Sequence, residues 1–167
     1  MVATSRTIGS IEAARSSREL GIAESVHDLM RAVLHRVEPT LEEENLSMGR
    51  FWALHLVANL KEPTLTTVAR HLSVRNASAC SAVDGLEAAG LVRRRRSDRD
   101  HRRVEIVPTA RGRRAEAAVW RAIARIVREA TDDLPSEDVA TTARTLRALV
   151  RRVATDPSNP LDPEALT

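Results

Sequence analysis

Aromatic side chains are nearly absent from this sequence: its 167 residues include no tyrosine, one phenylalanine (Phe51) and two tryptophans (Trp52 and Trp120). The apolar mass is leucine, valine, alanine and isoleucine, and together with abundant arginine and glutamate this favours helices. There is one cysteine, Cys80, which excludes a disulfide within the chain and suits a reducing compartment. Glycine is sparse too. The six glycines assemble no phosphate-binding loop, dinucleotide fingerprint or nucleophile elbow. The five histidines (His27, His35, His55, His71 and His101) have no H-x-x-H or H-E-x-x-H spacing, and no C-x-x-C accompanies them, so no local motif holds a metal. These absences point to a non-enzyme with no cofactor. No apolar run reaches the roughly 18 residues of a bilayer span, and the N-terminal stretch lacks the apolar core of a secretory signal. A cytoplasmic protein with no membrane partner is expected.

Lysine is the last scarcity: Lys61 is the only one among 26 basic residues, so the positive charge belongs to arginine. That charge is concentrated. Between Gly90 and Val104 stand Arg93, Arg94, Arg95, Arg96, Arg99, Arg102 and Arg103 against only Asp98 and Asp100, a net +5 in a chain whose total is +3. Short β-branched runs flank the arginines, so the segment reads as a hairpin with a basic loop. Such a local concentration is a phosphate-binding footprint rather than general basicity. The planar arginine fork suits both phosphate oxygens and base edges.

Along the chain, residues 1–18 are rich in Ser, Thr and Arg with weak periodicity, and read as a flexible arm or short extra helix. Ile22, Val26, Leu29, Met30, Val33, Leu34 and Val37 then follow helical spacing, predicting a helix over about 20–38 that stops before Pro39. A second helix opens at Ser47 as N-cap and ends before Pro63. Two short helices follow, about 65–72 and 75–89, joined tightly at Ser73 and Val74. Strands are expected near 92–96 and 102–107. Thr109 caps a long helix reaching about 131, and a last helix spans 136–154 with Glu137 and Asp138 in its first turn, where carboxylates complement the helix dipole. The proline-rich stretch 156–167 is expected to be disordered.

The fold class is therefore mainly α with a small β-hairpin wing: a winged helix-turn-helix lobe over about 47–108, plus helical dimerisation segments. In the second helix of the pair, Ala79, Ala82, Val83 and Leu86 repeat at helical spacing and face inward. Arg75, Asn76, Ser78 and Ser81 lie on the other side, near the N-terminal end where a recognition helix meets base edges. Ala77 and Gly85 are expected to keep that side slim, and Gly90 stops the helix. The first helix and the last two carry apolar stripes that the lobe does not need. A second copy of the chain is the expected partner for them.

At this point the sequence resembles the MarR family of transcriptional regulators. The matching segments are VARHLSV for the first helix of the motif and NASACSAVDGLEAAGLVRR for the recognition helix and start of the wing. DHRRVEIVPTARG matches the wing end, with Asp100 and Arg102 on the family's Asp-x-Arg and Thr109 and Gly112 on its Thr-x-x-Gly, and LSMGRFWAL is similar to the family's second helix. The likeness covers about 20–155, giving a domain over 19–155. Two departures are Pro108, where leucine is usual, and the small Ala77 and Ser81 on the recognition helix. The second makes direct base readout thin and puts more weight on DNA shape.

The resemblance implies a homodimer whose first and last two helices interleave and whose lobes grip a pseudo-palindromic operator on double-stranded DNA. It implies a repressor released by a small-molecule effector. The expected DNA contacts are Arg75, Asn76, Ser78 and Ser81 in the major groove, with Arg94, Arg96, Arg99, His101 and Arg102 on the wing. Arg99 is placed at the tip, and Asp100 stabilises the wing through an ion pair. A ligand pocket is expected at His27, Met30, Trp52 and His55. The alternative is an architectural or low-specificity DNA-binding protein with no ligand response. Cys80 has no sequence neighbour that supports thiol chemistry.

Overall fold

Three helices of this protein end in the same way, and those endings set its course. The computed structural model describes residues 18–97 and 103–154. Helix α1 spans Arg18–Glu43, α2 Met48–Asn59, α3 Leu65–His71 and α4 Asn76–Ala88. Strands β1 (Val92–Arg96) and β2 (Val104–Pro108) follow, then α5 (Ala110–Thr131) and α6 (Ser136–Ala154). Past α1, Asn45 takes a left-handed φ of 57°, Asn45 N–H donates to Glu42 O at 3.0 Å and Leu46 N–H to Leu41 O at 2.8 Å. Past α3, Ser73 does the same at φ 54°, with Ser73 N–H to Arg70 O and Val74 N–H to Ala69 O. Past α4 the residue is Gly90 at φ 69°, with Gly90 N–H to Glu87 O and Leu91 N–H to Leu86 O. Each is a Schellman ending, in which two otherwise orphaned carbonyls receive donors.

Helix α1 runs through Pro39 instead of stopping before it. Proline removes one backbone donor, but the following turn carries Leu41, which is buried together with Leu46. That apolar pair closes the Schellman ending and holds the last turn in place. The chain divides into two compact units, residues 1–38 and 39–167.

In the second unit α2 is the apolar centre, burying Phe51, Ala53, Leu54, Leu56 and Val57. Ser47 caps it as expected, its side chain accepting from Arg50 N–H at 3.4 Å. Helix α3 begins with a capping box in which Thr64 and Thr67 each accept from the other's backbone N–H. Val68 and Ala69 of α3, Ala79, Val83 and Leu86 of α4, and Leu91, Val92 and Ile106 of the hairpin complete this core.

The two strands are antiparallel, in the register Val92↔Pro108, Arg94↔Ile106 and Arg96↔Val104. Ile106 N–H reaches back to Pro63 O at 2.7 Å, tying the hairpin to the loop before α3. Thr109 caps α5, and its hydroxyl also donates to Gly90 O at 2.8 Å. The second expected strand begins two residues later than predicted, at Val104. No helix among the described residues is long and apolar enough to cross a membrane.

Candidate nucleic-acid interface

The residues expected to face DNA on α4 are all on its open side. Ala79, Val83 and Leu86 are wholly buried, while Arg75, Asn76, Ala77, Ser78 and Ser81 are exposed. Arg75 is the N-cap residue but makes no side-chain capping bond, so its guanidinium is not consumed by the helix end. Helical geometry places Ser78, Ser81 and Gly85 along one edge of this open strip. Gly85 does not leave that edge bare. A β-carbon there would stand 2.7 Å from Nε of Arg50, whose guanidinium lies against the helix.

The arginines of the hairpin divide into two kinds. Arg94 is clamped to α4: its Nη2 donates to Asp84 Oδ1 at 2.6 Å, its Nη1 donates to Glu87 Oε2, and its backbone N–H donates to Glu87 Oε1 at 3.0 Å. The hydrogen bond from Arg94, seconded by the Cys80 thiol, holds the Asp84 carboxyl below its ordinary range, and the Arg94 guanidinium is shifted upward in turn. Arg95 pairs across the strands with Glu105 at 3.1 Å, and Arg103 reaches Glu62 before α3 at 3.3 Å. Arg93 and Arg96 are exposed on β1. Arg99, Asp100, His101 and Arg102 lie outside the described residues, as do residues 1–17 and 155–167.

The end of α4 is fastened to the start of α5. Arg111 donates to Ala89 O at 2.8 Å, Thr109 N–H to Leu91 O at 2.9 Å, and a β-carbon on Gly112 would collide with the Leu91 carbonyl. A few turns further along, α5 meets α2 in a second cluster. Phe51, Trp52 and Trp120, the whole aromatic complement of the chain, gather there with His55. The His55 and Trp120 rings are 5.2 Å apart. His55 Nδ1 lies 2.9 Å from Glu116 Oε1 and 3.1 Å from both Trp120 Nε1 and Asn59 Nδ2. Without a proton, Nδ1 accepts from the indole or amide N–H; with one, it donates to the carboxylate. His27 and Met30, the other expected pocket residues, are exposed on α1. Among the described residues no group of three His, Cys, Asp or Glu side chains could hold a metal ion.

Residues 45–103 match the sequence model of the MarR family. Over those residues the lobe is similar to the MarR family. No curated protein matches the sequence. Among solved structures, the chain is similar to a MarR family protein from Bacillus stearothermophilus, with 20% identity, a TM-score of 0.73, and coverage of 84% of this chain and all of that one. It is similar to a MarR family regulator from Silicibacter pomeroyi at 19% identity and TM-score 0.67, covering 86% of this chain and 97% of that one. It is also similar to CouR from Rhodococcus jostii RHA1, solved with p-coumaroyl-CoA, at 22% identity and TM-score 0.63, covering 80% and 94%. The six helices and one antiparallel hairpin among the described residues match the winged-helix fold of these structures.

Sequence reasoning missed Arg50, Asn59, Glu116 and Trp120. Trp120 was open to detection, because a chain with three aromatics has reason to place them together. His71, by contrast, is an ordinary core histidine whose Nδ1 bonds Thr67 O at 2.7 Å.

Proposed function

We propose that this protein is a sequence-specific DNA-binding transcriptional regulator that acts as a homodimer. The observation that carries this reading is the pairing of α4 with the basic hairpin. The open strip of Arg75, Asn76, Ser78 and Ser81 stands beside a strand of four consecutive arginines, and the Arg94 clamp holds the two in register. On this reading Arg75, Asn76, Ser78 and Ser81 enter the major groove, and Arg96, Arg99, His101 and Arg102 serve the wing with Asp100 steadying it. Arg94 positions the wing rather than touching DNA, since its charge is already paired with Asp84 and Glu87.

Repression, with release by a small molecule, is the regulatory mode we infer. The His55, Glu116, Trp52 and Trp120 cluster combines apolar rings with a polar centre, the residue types that line small-molecule sites. CouR with its bound p-coumaroyl-CoA is a similar structure that takes a small molecule. Exposed Ile22, Val26, Leu29 and Met30 on α1, and Val150 and Val153 on α6, support burial against a second copy.

The decisive experiment titrates the purified protein against DNA from upstream of its own gene, with and without random competitor, at two salt concentrations. Binding that survives competitor and protects a two-fold site is the expected result. Equal loss to any DNA would instead favour the architectural reading, with the same lobe used without sequence preference.

A further inference from the structure

The strip of α4 that faces outward has a cation lent to it by another helix. Gly85 follows Ser78 by two turns and Ser81 by about one, along one edge of α4. The side chain lying over it belongs to Arg50, from the first turn of α2. An ideal β-carbon at Gly85 would stand 2.7 Å from Nε and 2.8 Å from both Cζ and Nη2, so the guanidinium rests flat on bare helix backbone. Arg50 is exposed, and no carboxylate among the described residues pairs with it. In this it differs from Arg94, Arg95 and Arg103, each of which meets an acid. Glycine is the residue that permits the arrangement: any side chain at position 85 would occupy the place of the guanidinium.

We propose that Arg50 is a phosphate-contacting residue of the DNA interface, seated by Gly85. The proposal rests on the reading that α4 enters the major groove. A recognition helix meets base edges near its N-terminus, so the end of the strip at Gly85 comes out against the groove wall, where phosphates stand. A flat guanidinium laid against the helix with its outer N–H groups free has the fork that a phosphate accepts. Because phosphates carry no sequence information, Arg50 contributes affinity to operator and random DNA alike.

The test compares wild type, Arg50→Ala, Gly85→Ala and the double variant in DNA titrations over a range of salt, with thermal unfolding confirming that each is folded. Arg50→Ala is expected to weaken operator and random DNA by the same factor, about three- to ten-fold, and to lower the salt slope by about one. Gly85→Ala keeps the arginine but pushes it off the helix. The displaced atoms are the far end of a flexible side chain, so stability is retained while affinity falls. In the Arg50→Ala background, Gly85→Ala is expected to add no further loss. An unchanged salt slope in Arg50→Ala, or an equal loss from Gly85→Ala in both backgrounds, would overturn the proposal while leaving DNA binding intact. Wild-type protein that binds no DNA at any salt would remove the underlying reading as well, and that result precedes any comparison of variants.

Discussion

Arg94 shows how one side chain can be basic in the sequence and spent in the fold. It meets Asp84 and Glu87, ten and seven residues earlier, because the turn at Gly90 folds β1 back along α4. Charge counting along the chain does not register that return. The sign of a double variant separates a positioning arginine from a contacting one. Asp84→Asn with Glu87→Gln removes two negative charges and frees Arg94, so a contacting Arg94 would then bind DNA more tightly. We expect weaker binding, measured by the same titration, because the wing loses its register against α4. The clamp also has a definite pH dependence. The Asp84 carboxyl is depressed by its Arg94 hydrogen bond, so its contribution is full above the ordinary carboxylate value of 3.8 and is lost as pH falls through the lower folded value. Amide protection factors of β1, corrected for the intrinsic pH dependence of exchange, should therefore stay constant from pH 8 to pH 5, and loosening should begin only in strong acid.

At the scale of elements, helix starts were more legible than helix ends. Ser47 and Thr109 cap α2 and α5 with side-chain oxygens, as their residue types predict. Of the three Schellman endings, Gly90 and Asn45 are residue types that favour a left-handed φ, whereas Ser73 is not. Pro39 misled in the other direction, since burial of Leu41 outweighs one lost backbone bond. The strip on α4 was legible because it follows from helical period alone. The Arg50 contact with Gly85 was not, because two helices must cross before it exists. Glycines also differ in ways that composition hides. Gly112 seats α5 on the Leu91 carbonyl with Leu54 beside it, so Gly112→Ala forces backbone apart and should cost about 1–3 kcal/mol. Gly49 in α2 has open space around its missing β-carbon, so Gly49→Ala should stabilise by about 0.5–1 kcal/mol. Chemical denaturation of the two variants checks both signs, and destabilisation by both would refute the account of Gly49.

At the scale of the whole molecule, α1 and α6 leave apolar side chains exposed among the described residues. Helix α6 has 19 residues and not one is buried among those described, although Val139, Leu146, Leu149, Val150 and Val153 follow helical spacing. Such a helix is not stable on propensity alone and needs a covering surface. We expect light scattering to give about twice the 18.4 kDa chain mass. Leu29→Glu with Val150→Glu should shift that mass toward the single chain and lower the unfolding temperature. A monomeric wild type with α6 intact by amide exchange would exclude this account. One consequence of the hairpin concerns the other polyanions of a cell. Its five described arginines come with Asp84, Glu87, Glu62 and Glu105 already in contact with three of them. Ribosomal RNA or polyphosphate must first displace those internal partners before it can take Arg94, Arg95 or Arg103. On the proposed function, the acids act as resident competitors at those three arginines and disfavour a partner that does not also engage α4.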